Sequence, residues 1–119
     1  MTWTVLFDEA FATEFADFPR DVQTALLAKA RLLEHFGPQL GRPHVDTLKD
    51  SKHANMKELR FDAADGAWRA AFAFDTARQA IILVAGDKSG GSQKRFYRTL
   101  IATADKRFDE HLAQVRKGG

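Results

Sequence analysis

The spacing of apolar residues in the first third of the chain predicts a strand followed by two helices. An apolar run at residues 3–7 is typical of a short strand, and Asp8 behind it suits the N-cap of a helix. Three phenylalanines recur at helical spacing and predict the buried stripe of that first helix: Phe11, Phe15 and Phe18. Pro19 suits the first turn of a second helix, which we expect to end at Gly37 and Pro38 because these residue types stop helices.

The remainder of the chain predicts three strands and a final helix. Apolar segments separated by turn-forming residues indicate the strands, at 56–61, 68–74 and 78–85. Residues 93–115 carry an apolar residue at every fourth position and predict a helix with Ser92 as its N-cap. Residues 37–55 show no sustained period, and a connection of this length is either functional or a plain surface loop. The order of elements predicts one α+β domain over residues 1–119, with a mainly antiparallel sheet.

Alternation along the three strands predicts how the first two of them pair. Successive side chains of a strand point to opposite faces, and the register that collects the apolar ones on one face brings Phe61 next to Trp68. The same register places Arg60 opposite Arg69 on the other face. In the third strand, alternation assigns Ile81 and Leu83 to the apolar face that Phe61 occupies, and Ile82 and Val84 to the face of the arginines.

Two arginines directly opposite each other require a compensating negative charge. Like charges in such positions destabilise a sheet by roughly 0.2–1 kcal/mol. One interpretation is structural: Glu58, on the same face of the first strand, compensates the arginines. The other is functional: an anion binds between Arg60 and Arg69, because guanidinium groups match the geometry of phosphate. Lys88 follows the third strand and is expected at the rim of the same face.

The charge distribution favours a polyanionic partner. The chain has 18 Lys and Arg against 16 Asp and Glu, but residues 1–40 carry a net charge of −3 and residues 41–119 carry +5. The absence of cysteine excludes disulfides, thiolate zinc sites and a cysteine nucleophile. No apolar run approaches the roughly 20 residues of a membrane span, and Asp8 and Glu9 do not fit a signal peptide. We therefore expect a soluble protein of the cytoplasm, without contact to a membrane.

Two further side chains are candidates for chemistry. Tyr97 lies within residues 88–98, which contain four Lys or Arg and no acid, and an aromatic ring among basic residues suits base stacking and phosphate contact. A half-buried packing role for Tyr97 is the alternative interpretation. His53 directly precedes the arginine-bearing strand and either exchanges a proton near neutral pH or is an ordinary loop histidine. The histidines have none of the spacings of zinc sites, so no metal is expected.

Four motifs together resemble one family. They are Met-Lys-Glu-Leu-Arg at 56–60, Trp-Arg-Ala-Ala-Phe at 68–72, Ile-Ile-Leu-Val-Ala-Gly-Asp-Lys at 81–88 and Arg-Phe-Tyr at 95–97. In this order and spacing, the chain resembles the RelE/ParE superfamily of bacterial toxins, and within it the HigB-like, phage-related branch. The resemblance extends over nearly the whole chain. It implies a RelE-like fold, with two N-terminal helices and a C-terminal helix on the sheet.

The resemblance also implies a toxin of a type II toxin–antitoxin system that cleaves messenger RNA, usually in the ribosomal A site, without a metal or cofactor. It implies catalytic roles for five residues: His53, Arg60, Arg69, Lys88 and Tyr97. It implies RNA contacts for five more: Lys49, Lys52, Lys94, Arg95 and Arg98. The expected partners are messenger RNA, the ribosome and a helix-turn-helix antitoxin similar to HigA, through which the toxin would contact DNA only indirectly.

Members of the same superfamily support a different hypothesis. ParE-like toxins poison DNA gyrase by protein–protein contact, and in that case the arginine pair is a partner-binding or structural feature. A third hypothesis is a degenerate phage protein that only binds its antitoxin. RNA cleavage requires Arg60, Arg69, Lys88 and Tyr97 to converge on one face, whereas gyrase binding does not.

Overall fold

Five strands and three α-helices make up the part of the chain that the structure describes, residues 2–118 of a computed structural model. The helices are α1 Glu9–Ala16, α2 Arg20–Phe36 and α3 Gln93–Gly118. The strands are β1 Thr4–Phe7, β2 Val45–Thr47, β3 Met56–Ala63, β4 Gly66–Phe74 and β5 Gln79–Asp87. The predicted helices and strands are present, and β2 is an additional strand within the connection that shows no period.

The strands form one sheet in the order β1-β5-β4-β3-β2. β1 is parallel to β5, and the other neighbours are antiparallel. One face is covered by α1 and α2, whose Phe11 and Leu26 are fully buried with Phe72 of the sheet. The other face is covered by α3, whose Phe108 packs in one cluster with Met56. The result is the predicted α+β domain, with the arginine pair on the α3 side of the sheet because it shares the face of Met56.

The hairpin of β3 and β4 has the predicted register. Phe61 pairs with Trp68, and their rings stack with centroids 6.2 Å apart. Arg60 pairs with Arg69 on the opposite face. The alternation of apolar and polar side chains therefore sufficed to predict that these two arginines meet.

A β-bulge in β5 shifts the predicted faces of that strand. Two successive residues of β4 pair with Val84 and Ile82, so Leu83 is an extra residue. Leu83 and Val84 consequently both pack toward α3, and Ile82 packs toward α1 and α2. The predictions that Ile81 and Leu83 lie on the face of Phe61, and that Ile82 lies on the face of the arginines, are therefore wrong, since the inserted residue shifts the alternation by one position. Val84 packs toward α3 as predicted.

The helix ends follow local chemistry. Side-chain oxygens of Asp8 and Ser92 accept backbone hydrogen bonds of 3.1 and 3.2 Å at the starts of α1 and α3, as predicted. Pro19 is the N-cap of α2 rather than a residue of its first turn. α2 ends at Gly37, whose φ of +57° favours glycine and where a Cβ would lie 2.3 Å from the indole of Trp3. No helix within residues 2–118 combines the length and apolar character that a bilayer crossing requires.

Candidate functional site

Glu58 lies between the two arginines of the hairpin. Its side chain is only 4% exposed, and its Oε2 accepts a hydrogen bond of 3.2 Å from Arg60 Nε. Its other oxygen, Oε1, lies 3.8 Å from Arg69 Nε. The sequence produces this arrangement locally, because Glu58 and Arg60 are two residues apart on β3 and Arg69 is the cross-strand partner of Arg60. The compensation that the structural interpretation expected is thus present in Glu58, whose carboxylate faces both guanidinium groups.

Tyr97 of α3 joins this cluster through Glu58. Its hydroxyl donates a hydrogen bond of 2.8 Å to Glu58 Oε1. Burial, this hydrogen bond and the negative charge of Glu58 raise the pKa of Tyr97 above its ordinary value, while Arg69 opposes the rise. The phenol is therefore protonated at neutral pH, and it can serve as a hydrogen-bond or proton donor.

A cavity of about 710 Å³, which we call the Tyr97 cavity, opens beside this cluster at the start of α3. Six of the predicted site residues line it: Lys49, Arg60, Lys88, Lys94, Tyr97 and Arg98. With Asp50 and Glu58, the lining has five basic and two acidic side chains, a formal net charge of +3. Within residues 2–118, only Arg60 among these basic side chains forms a salt bridge. Arg69 does not line the Tyr97 cavity and contacts the cluster through Glu58.

His53 and Lys52 do not lie at this cavity, in contrast to the sequence-based expectation. His53 Nε2 lies 2.8 Å from Asp109 Oδ1, and its ring packs edge-on against Phe108. Lys52 forms an ion pair with the same carboxylate, which lowers the pKa of Asp109. Asp109 follows Tyr97 by twelve residues in α3, which is about 18 Å along a helix axis. Contacts with α3 thus hold both residues away from the Tyr97 cavity.

Asp46 belongs to the cluster, although the sequence pattern did not indicate it. It lies in β2 opposite Glu58, and its Oδ2 is 3.1 Å from Arg42 Nη2 and 3.7 Å from Arg60 Nη2. The backbone N–H of Thr47 and the two arginines lower the pKa of Asp46. A strand of three residues is too short for alternation to be recognised, so nothing in the sequence placed Asp46 beside Arg60.

The remaining candidate, Arg95, is exposed in the first turn of α3 and does not line the cavity. Within residues 2–118, no group of three or more His, Cys, Asp or Glu side chains is arranged to hold a metal ion. The site is therefore a set of cations and hydrogen-bond donors around one buried carboxylate. Such an arrangement can bind an anion and stabilise negative charge that develops on it.

Comparison with known sequences identifies relatives of the chain. Residues 13–109 match the family of phage-derived Gp49-like proteins. The chain is 48% identical over 100 residues to a Mycobacterium tuberculosis protein named as the toxin HigB3, a match that covers 84% of this chain and 85% of that protein. It is 47% identical over 96 residues to a protein of the same organism named as the toxin HigB2, covering 80% of this chain and 47% of that protein.

Two solved structures share the fold. A variant of the Escherichia coli toxin RelE in the free state superposes with a TM-score of 0.58 at 12% identity, over 86% of this chain and 96% of that chain. An archaeal RelE–RelB complex from Pyrococcus horikoshii contains a chain that superposes with a TM-score of 0.55 at 17% identity, over 76% of this chain and 100% of that chain. The chain therefore belongs to the family of phage-derived Gp49-like proteins, is HigB-like in sequence, and shares its fold with RelE.

Proposed function

We propose that this protein is the toxin of a type II toxin–antitoxin system and that it cleaves messenger RNA on the ribosome. The observation that carries the proposal is the Tyr97 cavity. Its lining has a formal net charge of +3 and includes the protonated phenol of Tyr97 and the guanidinium group of Arg60. A phosphodiester is the ligand that such a set of cations and donors fits. Membership in a family of toxins supports the same conclusion.

The reaction that fits this site is attack of a ribose 2′-hydroxyl on the adjacent phosphate. As the bond from the 2′-oxygen to phosphorus forms, the 2′-hydroxyl loses its proton to solvent water, and the bond from phosphorus to the 5′-oxygen of the next nucleotide breaks. The products are a 2′,3′-cyclic phosphate and a free 5′-hydroxyl, and the proton donor regains its proton from water. Arg60 and Lys88 would bind the phosphate and offset the charge of its pentacoordinate transition state. Tyr97 would donate the proton to the leaving oxygen, since its raised pKa keeps the hydroxyl protonated. Glu58 would act as a positioning residue, because it holds the Tyr97 hydroxyl and the Arg60 guanidinium.

The other basic residues near the cavity would bind the RNA backbone. Lys49, Lys94 and Arg98 line the cavity and are exposed, as phosphate contacts need to be. Arg95, exposed beside them on α3, would contact ribosomal RNA instead. His53 has no part in the proposed reaction, because its ring nitrogen is bound to Asp109.

We further propose that the toxin is held inactive by an antitoxin encoded beside it. The archaeal neighbour is a RelE chain in complex with RelB, and the shared fold makes a comparable partner the simplest expectation. In the HigB-like branch we expect this antitoxin to have a helix-turn-helix domain and to bind DNA on behalf of the complex. Co-purification of the toxin with the product of the neighbouring gene would test this.

A ribosome-dependent cleavage assay tests the proposed activity. Purified Arg60→Ala and Lys88→Ala variants should cut messenger RNA on programmed ribosomes about 100-fold more slowly than the parent, as expected when a cation at the reacting phosphate is lost. Lys106→Gln, on an exposed part of α3 outside the cavity, is the matched control and should cut at the parental rate. Circular dichroism confirms that each variant is folded.

Two outcomes would contradict the proposal. If the Arg60 and Lys88 variants cut as fast as the parent, the Tyr97 cavity is not the nuclease site. If the parent cuts no RNA but traps gyrase–DNA breaks, the protein acts in the manner of ParE.

A further inference from the structure

A second cavity, of about 530 Å³, is lined by residues of α2 and by both arginines of the pair, and we call it the Lys29 cavity. Its charged wall consists of Lys29, Arg60 and Arg69 together with the single carboxylate of Asp62, a formal net charge of +2. The rest of the wall is formed by small or apolar residues: Ala25, Ala28, Pro43 and Phe61. Arg60 lines this cavity as well as the Tyr97 cavity, so the two cavities adjoin at one guanidinium group.

Lys29 is held at this cavity by a hydrogen bond to His44. Its Nζ donates a hydrogen bond of 2.8 Å to His44 Nδ1, and the backbone oxygen of His44 accepts a 2.8 Å hydrogen bond from Arg60 N. Lys29 forms no salt bridge within residues 2–118. The His44 contact therefore orders the Lys29 side chain without neutralising its positive charge.

Arg69 has a buried donor that no group within residues 2–118 satisfies. The residue is 9% exposed, and its Nη1 donates to the Trp68 carbonyl at 2.8 Å. Its Nε makes no hydrogen bond, since the nearest carboxylate oxygen, on Glu58, is 3.8 Å away. Buried donors of charged groups are rarely left without a partner in native proteins. The positive charge of Arg69 is therefore only partly compensated inside the chain, and it adds to the charge of the Lys29 cavity, which Arg69 lines.

We propose that the Lys29 cavity binds a second phosphate of the RNA strand whose scissile phosphate occupies the Tyr97 cavity. The inference rests on the proposed function, and it adds a second binding subsite for the strand. A single-stranded RNA that passes over Arg60 would place successive parts of its backbone in the two cavities. Lys29 and Arg69 would then contact a phosphate at which no bond is broken, so they would contribute affinity and register rather than chemistry.

The length of the bound RNA provides the test. Two probes with 2′-O-methyl riboses, which cannot be cleaved, are a dinucleotide with one phosphodiester and a pentanucleotide with four. Binding of each is measured for the parent, for Lys29→Gln and for the control Lys106→Gln, at several salt concentrations. Glutamine retains a donor for His44, and thermal unfolding checks that the variant is folded.

The expected result depends on probe length. Lys29→Gln should bind the pentanucleotide about tenfold more weakly, and the slope of log affinity against log salt should become shallower by about 0.7. The dinucleotide should bind equally well to Lys29→Gln and to the parent, since its only phosphate fills the Tyr97 cavity. Lys106→Gln should bind both probes as the parent does.

Three results would overturn the inference. Parental binding of the pentanucleotide by Lys29→Gln shows that the Lys29 cavity holds no phosphate. Equal weakening of both probes shows a general loss of charge rather than a second subsite. If the parent binds neither probe and does not cut messenger RNA, the proposed function is wrong as well. If the parent cuts messenger RNA and Lys29→Gln binds the pentanucleotide normally, only the second subsite is wrong.

Discussion

Replacing Glu58 by glutamine keeps the shape of the side chain but removes the negative charge that faces Arg60 and Arg69. The Arg69 side chain is 11% exposed and Glu58 is 4% exposed, so this pair is shielded from solvent. Two unit charges near 4 Å interact by about 4 kcal/mol at an effective dielectric constant of 20, and removing one partner of a buried pair typically costs 3–5 kcal/mol. Arg60 is 35% exposed and contributes less. We expect a loss of about 3 kcal/mol in the free energy of unfolding.

The thermal midpoint reports this loss directly. For a chain of this size, about 3 kcal/mol corresponds to a midpoint lowered by roughly 12 °C, measured by circular dichroism. Inorganic phosphate should raise the midpoint of Glu58→Gln more than that of the parent, because the carboxylate no longer competes with an anion for the arginines. Glu34→Gln, an exposed position on α2, is the control and should melt with the parent. A Glu58→Gln midpoint equal to the parental one, or an equal response of both proteins to phosphate, would refute this reasoning.

Three further predictions concern other parts of the chain. Tyr97 is the single tyrosine, so the absorbance of tyrosinate should titrate with a midpoint above pH 10 in the parent and at a lower pH in Glu58→Gln. The stability linked to this group is present below about pH 10 and is lost at higher pH. A parental midpoint at or below pH 10 would contradict the raised pKa of Tyr97. Arg107 donates hydrogen bonds of 2.9 and 2.7 Å to the two Glu14 oxygens and lowers the pKa of Glu14. Arg107→Gln should therefore have a lower free energy of unfolding than the parent at pH 7, and the difference should shrink as acid protonates Glu14. A difference that stays constant with pH in urea unfolding would rule this out. Gly37→Ala should lower the free energy of unfolding by about 1 kcal/mol or more, because the φ of Gly37 is +57° and a Cβ would lie 2.3 Å from the indole of Trp3. An unchanged midpoint of urea unfolding would contradict this prediction.

Local periodicity predicted most of the fold because the relevant signals act over a few residues. Helix spacing located α1, α2 and α3, and side-chain caps located the starts of α1 and α3. The strand β2 escaped prediction because three residues carry too little alternation. The faces of β5 were partly misassigned because a bulge at Leu83 leaves no mark in an apolar run in which residues 80–83 are all buried.

The candidate site could be predicted where strand alternation places its residues on one face of the sheet. Arg60 lies in β3 and Lys88 directly follows β5, with β4 between these two strands, and both side chains line the Tyr97 cavity as their predicted common face requires. The expectation for His53 rested on its closeness in sequence to the arginine strand. Its actual position depends on a contact with Asp109, 56 residues away in the chain, which no local pattern contains.

The sequence by itself determined which side chains meet within the hairpin of β3 and β4. The side-chain period of a strand is two, so pairing Phe61 with Trp68 obliged Arg60 to face Arg69. Only one register buries the apolar side chains of both strands on the same face, and this made a long-range contact predictable.

Only the tertiary structure decided what lies over the two arginines. α3 crosses the sheet so that Tyr97 reaches Glu58, and the same crossing takes His53 to Asp109 at a later turn of the helix. The angle and position of a helix on a sheet result from the packing of many side chains at once, and no short stretch of sequence encodes them.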